Sequence, residues 1–301
     1  MSKIKFRTIR YTMYVLFISF LLPSCGSVPL TGRRQLQLVS DQEVMALSLQ
    51  QYQDFMRKAP VERGTANAQM VTRVGKRIAA AVETFLANNG YASELKNYDW
   101  EFNLVKDKSV NAFAMPGGKI VVYTGLLPVT QSETALAVVI GHEIAHVVGK
   151  HGGERISQQL ALQYGGAVAG GLLGNSASAQ IGQAVFGLGA QYGVLMPYAR
   201  KQELEADELG LVFMAMAGYD PRVAVSFWKR MAQNSQGASP EFLSTHPSDG
   251  KRIEQIERMM PTILKYYKGA GVPNNSDKPV KTKTSVPTST KNAKQSDKWS
   301  F

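Results

Sequence analysis

His142 and His146 stand four residues apart, with Glu143 between them, inside the apolar run VVIGHEIAHVV at 138–148. Four residues of helix advance about 400°, so both imidazoles point to one side, one turn apart. Two imidazoles at that spacing can reach one zinc ion. Glu143 lies about 100° round the helix. It cannot readily ligate along with both histidines, but it can reach a water at an open position of the metal and act as general base. Val138, Val139, Ile140, Ile144, Ala145, Val147 and Val148 make the helix apolar nearly all round, so it should be buried. Two histidines and a glutamate buried without partners would be costly, and a metal would satisfy them.

A catalytic zinc needs a third protein ligand. Gly149 fits the extended pattern H-E-x-x-H-x-x-G-x-x-H, but its last position is Gly152, and the histidine is His151, one residue early. That shift re-aims the side chain by about 100°, so His151 reads as a helix-end residue favourable to the dipole rather than as a ligand. The other candidates lie in YARKQELEADELG at 198–210. Glu205 and Glu208 read as a solvated face. Glu203 and Asp207 are four apart and share a face, so a ligating Glu203 would have Asp207 one turn away, able to accept the outer N–H of a ligand histidine.

Elements must hold these groups. Ser40, with Glu43 three residues on, opens an expected helix carrying Val44, Leu47, Tyr52 and Phe55. A second helix is expected over about 67–86, with Met70, Val74, Ile78, Ala81 and Phe85 on one stripe. DWEFNLV at 99–105 alternates as a strand, and 109–127 reads as two short strands around Met-Pro-Gly-Gly. Thr130 and Glu133 are spaced as a capping box for the histidine helix, which is expected to end near Gly152 and Gly153. Further helices are expected from Pro197 to Gly218, at 222–233 and at about 249–267, with Trp228 in the core. The Gly-rich stretch 165–193 reads as closely packed small-residue helices, or alternatively as a mobile lid.

The net charge of +11 is concentrated at the ends. Residues 1–24 and residues 271–301 carry +4 each, leaving +3 for everything between, which argues against a nucleic-acid partner. Residues 1–24 read as a signal peptide: a basic stretch, then YTMYVLFISFLL, which at 12 residues is too short to span a bilayer. Leu22-Pro-Ser-Cys25 follows, and Cys25 is the only cysteine, so no intrachain disulfide is possible. We read Cys25 as a lipidation site that anchors the chain to a membrane of the bacterial cell envelope, facing the periplasm. Residues 25–39 are then a tether ending in a strand or a wrapped segment, 40–267 the folded domain, and 271–301 a Lys/Ser/Thr-rich tail with the composition of a disordered segment.

Four motifs in order, Val110 to Ile120, Gly141 to His146, Glu203 to Asp207 and Ser244 to Ser248, resemble the zinc metallopeptidases of peptidase family M48, over roughly 40–267. The resemblance implies a gluzincin endopeptidase of the exported branch. It assigns one zinc to His142, His146 and Glu203, the general base to Glu143 and a supporting carboxylate to Asp207. The fold implied is α+β, a mostly helical zincin-type domain with a small sheet whose edge strand lines the active-site cleft. Asn111, Ala112, Phe113, Ala114 and Met115 are candidates for pairing with an extended peptide substrate. His246 reads either as a cap or packing residue beside Pro247 or as a removable fourth ligand that closes the site. Tyr198 and Arg200, or alternatively His246, are candidates for stabilising an oxyanion. The implied function is zinc-dependent hydrolysis of misfolded or misassembled envelope proteins. The alternative is a zinc-containing chaperone or assembly factor for the same clients. A zinc hydrolase of small molecules or peptidoglycan is a third reading, made less probable by the candidate pairing strand.

Overall fold

The computed structural model describes residues 25–169, 200–234, 242, 246 and 251–269. The expected signal peptide, the Gly-rich stretch from 170 onward and the tail lie outside the described residues.

The first described residues form a hairpin of β1 (Cys25–Ser27) and β2 (Arg34–Leu36). The expected tether is therefore a docked element: Val28 is buried in the main core, and the Leu38 N–H donates to Ser157 Oγ at 2.9 Å. Helix α1 (Asp41–Lys58) starts at Ser40, whose side chain and that of Glu43 form the expected capping box. Short β3 (Val61–Glu62) leads to α2 (Ala66–Asn88), capped by Thr65 and burying Met70, Val74, Ile78 and Val82 along one stripe.

A four-stranded sheet follows, of β3, β4 (Glu101–Val105), β6 (Lys119–Tyr123) and β5 (Ala112–Met115), in that spatial order. β5 and β6 form the expected antiparallel hairpin, and β6 runs parallel to β4. Gly117 and Gly118 both take φ of 89° in the turn, a conformation that favours glycine. This places β5 at the sheet edge, and among the described residues no strand pairs with its outer side.

Short α3 (Leu127–Thr130) precedes α4 (Glu133–Val148), which carries the two histidines. Every residue of α4 from Ala135 to Val148 is buried, as its uniform apolarity requires. It packs against α2, β5 and α6 (Arg200–Met216). Helix α5 (His151–Ala169) comes between α4 and α6, and α7 (Val223–Asn234) and α8 (Lys251–Ile263) complete the shell. The result is the expected α+β architecture, mostly helical, with a small sheet whose edge borders the histidine helix.

Two boundaries differ from expectation. Ser132, not Thr130, caps α4, accepting from the Ala135 N–H. The Thr130 hydroxyl donates to the Leu127 carbonyl, and Glu133 turns away to pair with Arg73. Helix α4 also ends earlier, at Val148, because Lys150 adopts a left-handed φ of 54° and the chain restarts as α5. Gly152 and Gly153 lie inside α5, where they pack near Pro116 and Val44 rather than stopping a helix.

Helices α4 and α6 touch through backbone at Gly141 and Gly210. A Cβ on Gly210 would lie 2.7 Å from the His142 nitrogen, and one on Gly141 would lie 2.7 Å from the Gly210 carbonyl oxygen. Backbone atoms cannot swing aside as a flexible side chain can. Gly210→Ala is therefore expected to push the helices apart, lower stability by about 1–3 kcal/mol in urea unfolding and reduce bound metal. Parent-like stability with full metal content would contradict this contact.

Candidate metal centre

The Gly141–Gly210 crossing sets His142 and His146 of α4 against Glu203 of α6. His246, from the segment before α8, joins them. Its backbone N–H donates to the Phe242 carbonyl, and the Phe242 N–H donates to the Val110 carbonyl, so this segment is tied to the start of the edge strand. Four donor atoms, one each from His142, His146, Glu203 and His246, lie within 4.8 Å of one another, and all four residues are buried.

The separations decide what this cluster can hold. The two Nε2 atoms of His142 and His146 are 3.0 Å apart, and His142 Nε2 is 3.3 Å from His246 Nδ1. Glu203 Oε1 is 3.1 Å from His246 Nδ1 and 3.4 Å from His146 Nε2, and its Oε2 is 3.5 Å from His142 Nε2. Donors at about 2.0–2.1 Å from zinc in a tetrahedron would be spaced by roughly 3.3 Å. The four donors therefore fit the edges of one such shell.

The electrostatics agree. Burial opposes charge on His142, but Asp207 and Glu203 override it and raise its pKa to about 9. Burial likewise opposes charge on Glu203, yet His246, His142 and His146 hold its carboxyl well below the usual range. The pocket thus attracts a cation, and an ion can take the place of the proton. Asp207 Oδ1 lies 3.0 Å from His142 Nδ1. When that carboxylate accepts a hydrogen bond from Nδ1–H of the neutral ring, Nε2 is left as a lone pair aimed at the cluster. Among the described residues Glu203 Oε2 completes no hydrogen bond, which suits a metal-facing oxygen. These residues fit one zinc ion.

Glu143 is fully buried, and its carboxylate has no side-chain hydrogen-bond partner among the described residues. Burial raises its pKa, while His246, with Nε2 at 3.4 Å, and His142 oppose the rise. The Ala114 backbone on β5 also favours its charged form slightly, which places the edge strand beside this carboxylate. Of the expected pairing residues, Ala112 to Met115 form β5, and Asn111 precedes it with its side chain bonded to the Ala112 N–H. An apolar cavity lined by Met45, Tyr98, Met115 and Ile156 adjoins His146 at the end of this strand.

Three groups were not foreseen. Arg252 grips Asp207 with Nε at 2.7 Å and Nη2 at 2.6 Å, stacks 3.5 Å above the Trp228 ring and brings Nη1 within 3.5 Å of Glu203. Its signal was an arginine four residues before buried Ile256, on the apolar face of α8. Glu205 is buried, not solvated, because the amino-terminal hairpin covers it: Arg33 Nε donates to it at 2.6 Å, and the Thr31 hydroxyl donates as well. Glu208, on the same expected face, is half-buried. His151 lies outside the four-donor cluster. It is also no dipole cap: it is fully buried between His146 and Glu205, because the left-handed Lys150 turns its ring back over Gly149. Trp228 is a core residue as expected, but it also supports the Asp207 partner. Arg200 opens α6 with an exposed side chain, outside the buried cluster. Tyr198 lies outside the described residues.

Replacing Arg252 by Met would leave Asp207 and Glu203 buried without their cation. Urea unfolding of the metal-free chain should show a loss of about 3–5 kcal/mol. A loss below about 1 kcal/mol would mean that the guanidinium does not carry this role.

Residues 69–260 match the family described as Peptidase family M48. The chain is 34% identical over 241 residues to "Mitochondrial metalloendopeptidase OMA1" of Schizosaccharomyces pombe, covering 78% of this chain and 66% of that protein. It is 29% identical over 259 residues to "Metalloendopeptidase OMA1, mitochondrial" of Homo sapiens, covering 83% and 49%. It is also 29% identical over 240 residues to "Beta-barrel assembly-enhancing protease" of Yersinia pestis, covering 77% and 47%. The chain thus spans about half to nearly two-thirds of the length of these curated relatives. With the family match extending over most of the folded residues and over the whole buried cluster, the chain belongs to peptidase family M48.

Proposed function

We propose that the chain is a zinc-dependent endopeptidase, with His142, His146 and Glu203 as ligands and Glu143 as general base. The observation that carries this reading is Glu143 itself: a buried carboxylate with no side-chain hydrogen-bond partner among the described residues, 3.4 Å from His246 Nε2 and beside the edge strand β5. A purely structural metal shell has no use for such a group. A zinc ion held there supplies Lewis acidity that lowers the pKa of a water and polarises a carbonyl. An extended peptide pairing with the outer side of β5 would carry its scissile bond past Glu143. Glu143 would take the proton of the attacking water and return it to the leaving amine nitrogen. Asp207, held by Arg252, keeps the proton of His142 on Nδ1 and its Nε2 toward the ligand cluster. The cavity beside His146 suits an apolar side chain next to the scissile bond.

His246 gives this enzyme a resting form. With Nδ1 near Glu203 and His142 and Nε2 near Glu143, it occupies the space that substrate and water need. The same closure favours the second reading, an assembly factor with a structural metal. The substrates we infer are misfolded or misassembled envelope proteins, met in the periplasm by a chain anchored through lipidated Cys25. The Leu22-Pro-Ser-Cys25 sequence and the likeness to a protein named for β-barrel assembly support this. Among the described residues no helix is long and apolar enough to cross a membrane.

Digestion of casein by the full chain in detergent tests both readings. The parent, or His246→Ala if the parent is latent, should cleave. Adding Glu143→Gln should cut the rate by about 10²–10⁴ while zinc stays bound. Equal cleavage with and without Glu143 would remove it as the base. Silence of both parent and His246→Ala would leave the assembly-factor reading.

A further inference from the structure

The two ligand histidines are supported differently. His142 has a carboxylate directly behind it, Asp207. Behind His146 stands another imidazole: His146 Nδ1 lies 2.8 Å from His151 Nδ1, and His151 Nε2 lies 3.0 Å from Glu205 Oε2. Glu205 accepts in turn from Arg33 Nε at 2.6 Å and from the Thr31 hydroxyl. The same guanidinium spans Glu154 with both terminal nitrogens at 2.7 Å. Thr31 and Arg33 both belong to the connection between β1 and β2, so this chain of contacts begins in the amino-terminal hairpin.

We propose that Arg33, Glu205 and His151 are positioning residues that fix the proton of His146 on Nδ1, so that the docked amino-terminal hairpin completes the metal site. This rests on the reading of His146 as a ligand. A carboxylate that pairs with a guanidinium and takes a hydroxyl proton only accepts. His151 Nε2 must then carry a proton, which leaves Nδ1 of the neutral ring as an acceptor. His146 Nδ1 must therefore donate, and its Nε2 is a lone pair directed at His142, Glu203 and the ion. If the His151 proton sat on Nδ1 instead, His146 would be driven to carry its own on Nε2, where a ligand cannot have one.

The local backbone is built for this placement. Lys150 takes the left-handed turn, and a Cβ on Gly149 would lie 2.5 Å from His151 Nε2, so only glycine leaves room for the folded-back ring. Arg33 supplies the counter-charge that lets two carboxylates, Glu154 and Glu205, stay buried beside it.

Zinc affinity of the full chain in detergent, read by competition with a chromogenic chelator, tests the proposal. His151→Phe should weaken binding about 10–100-fold, and Arg33→Met should weaken it in the same direction by a smaller factor. His151→Asn, which keeps an oxygen near the place of Nδ1, should recover most of the loss. A merely structural role would lower the melting temperature in all three without this rescue. His146→Ala separates the two claims. If it leaves zinc affinity unchanged, His146 is no ligand and the proposal falls with that reading. If it abolishes binding while His151→Phe stays within about twofold of the parent, the ligand reading stands and the proposal is overturned. Should the variants not fold, the imidazole ¹⁵N spectrum of the zinc-loaded parent decides. His151 protonated on Nε2 with Nδ1 bare supports the proposal, and a proton on its Nδ1 overturns it.

Discussion

The backbone contact between Gly141 and Gly210 is the constraint on which the site depends. Two helices that meet through side chains keep their axes 8–10 Å apart. Here Gly141, just before His142, and Gly210, seven positions after Glu203, carry no side chain, and the carbonyl oxygen of Gly210 lies only 2.7 Å from where a Cβ of residue 141 would be. That approach lets imidazole and carboxylate reach across within 3.4–3.5 Å from buried faces. The rest of the fold encloses this crossing, with α2 and β5 packed on the histidine helix and α8 laid over Glu203 and Asp207.

The enclosure carries a cost in buried charge, and the molecule meets it in a symmetrical way. Two arginines from distant segments each pair with two acids. Arg252 lies between Asp207 and Glu203, and Arg33 between Glu205 and Glu154. Both reach a histidine of the cluster through those acids, Arg252 through Asp207 to His142, and Arg33 through Glu205 and His151 to His146. Buried ions of this kind need every partner in place, since removal of one leaves another unpaired. Displacing the hairpin or α8 would therefore leave buried acids beside the cluster without their cation.

Features fixed by neighbours in sequence were legible. The capping box of Ser40 and Glu43, the stripe of α2, the hairpin at Met115 to Gly118 and the paired histidines of α4 all follow from spacings of a few residues. Glu203 was legible as one half of an i,i+4 pair with Asp207, a purely local signal. What escaped depends on segments far apart in the chain. Glu205 looked solvated because the hairpin that buries it lies more than 170 residues earlier. His151 read as a helix-end residue, but its burial between His146 and Glu205 depends on a left-handed residue at 150 that spacing does not reveal. The Thr130 box failed because Glu133 found a stronger partner in Arg73, across a helix interface.

Crystals of the zinc-loaded chain, measured on both sides of the zinc absorption edge, test whether one metal ion sits where these helices cross. A single anomalous peak bounded by His142, His146 and Glu203, lost in Glu203→Ala, is the expected result. A peak elsewhere, or none between these residues in a zinc-saturated crystal, would contradict it.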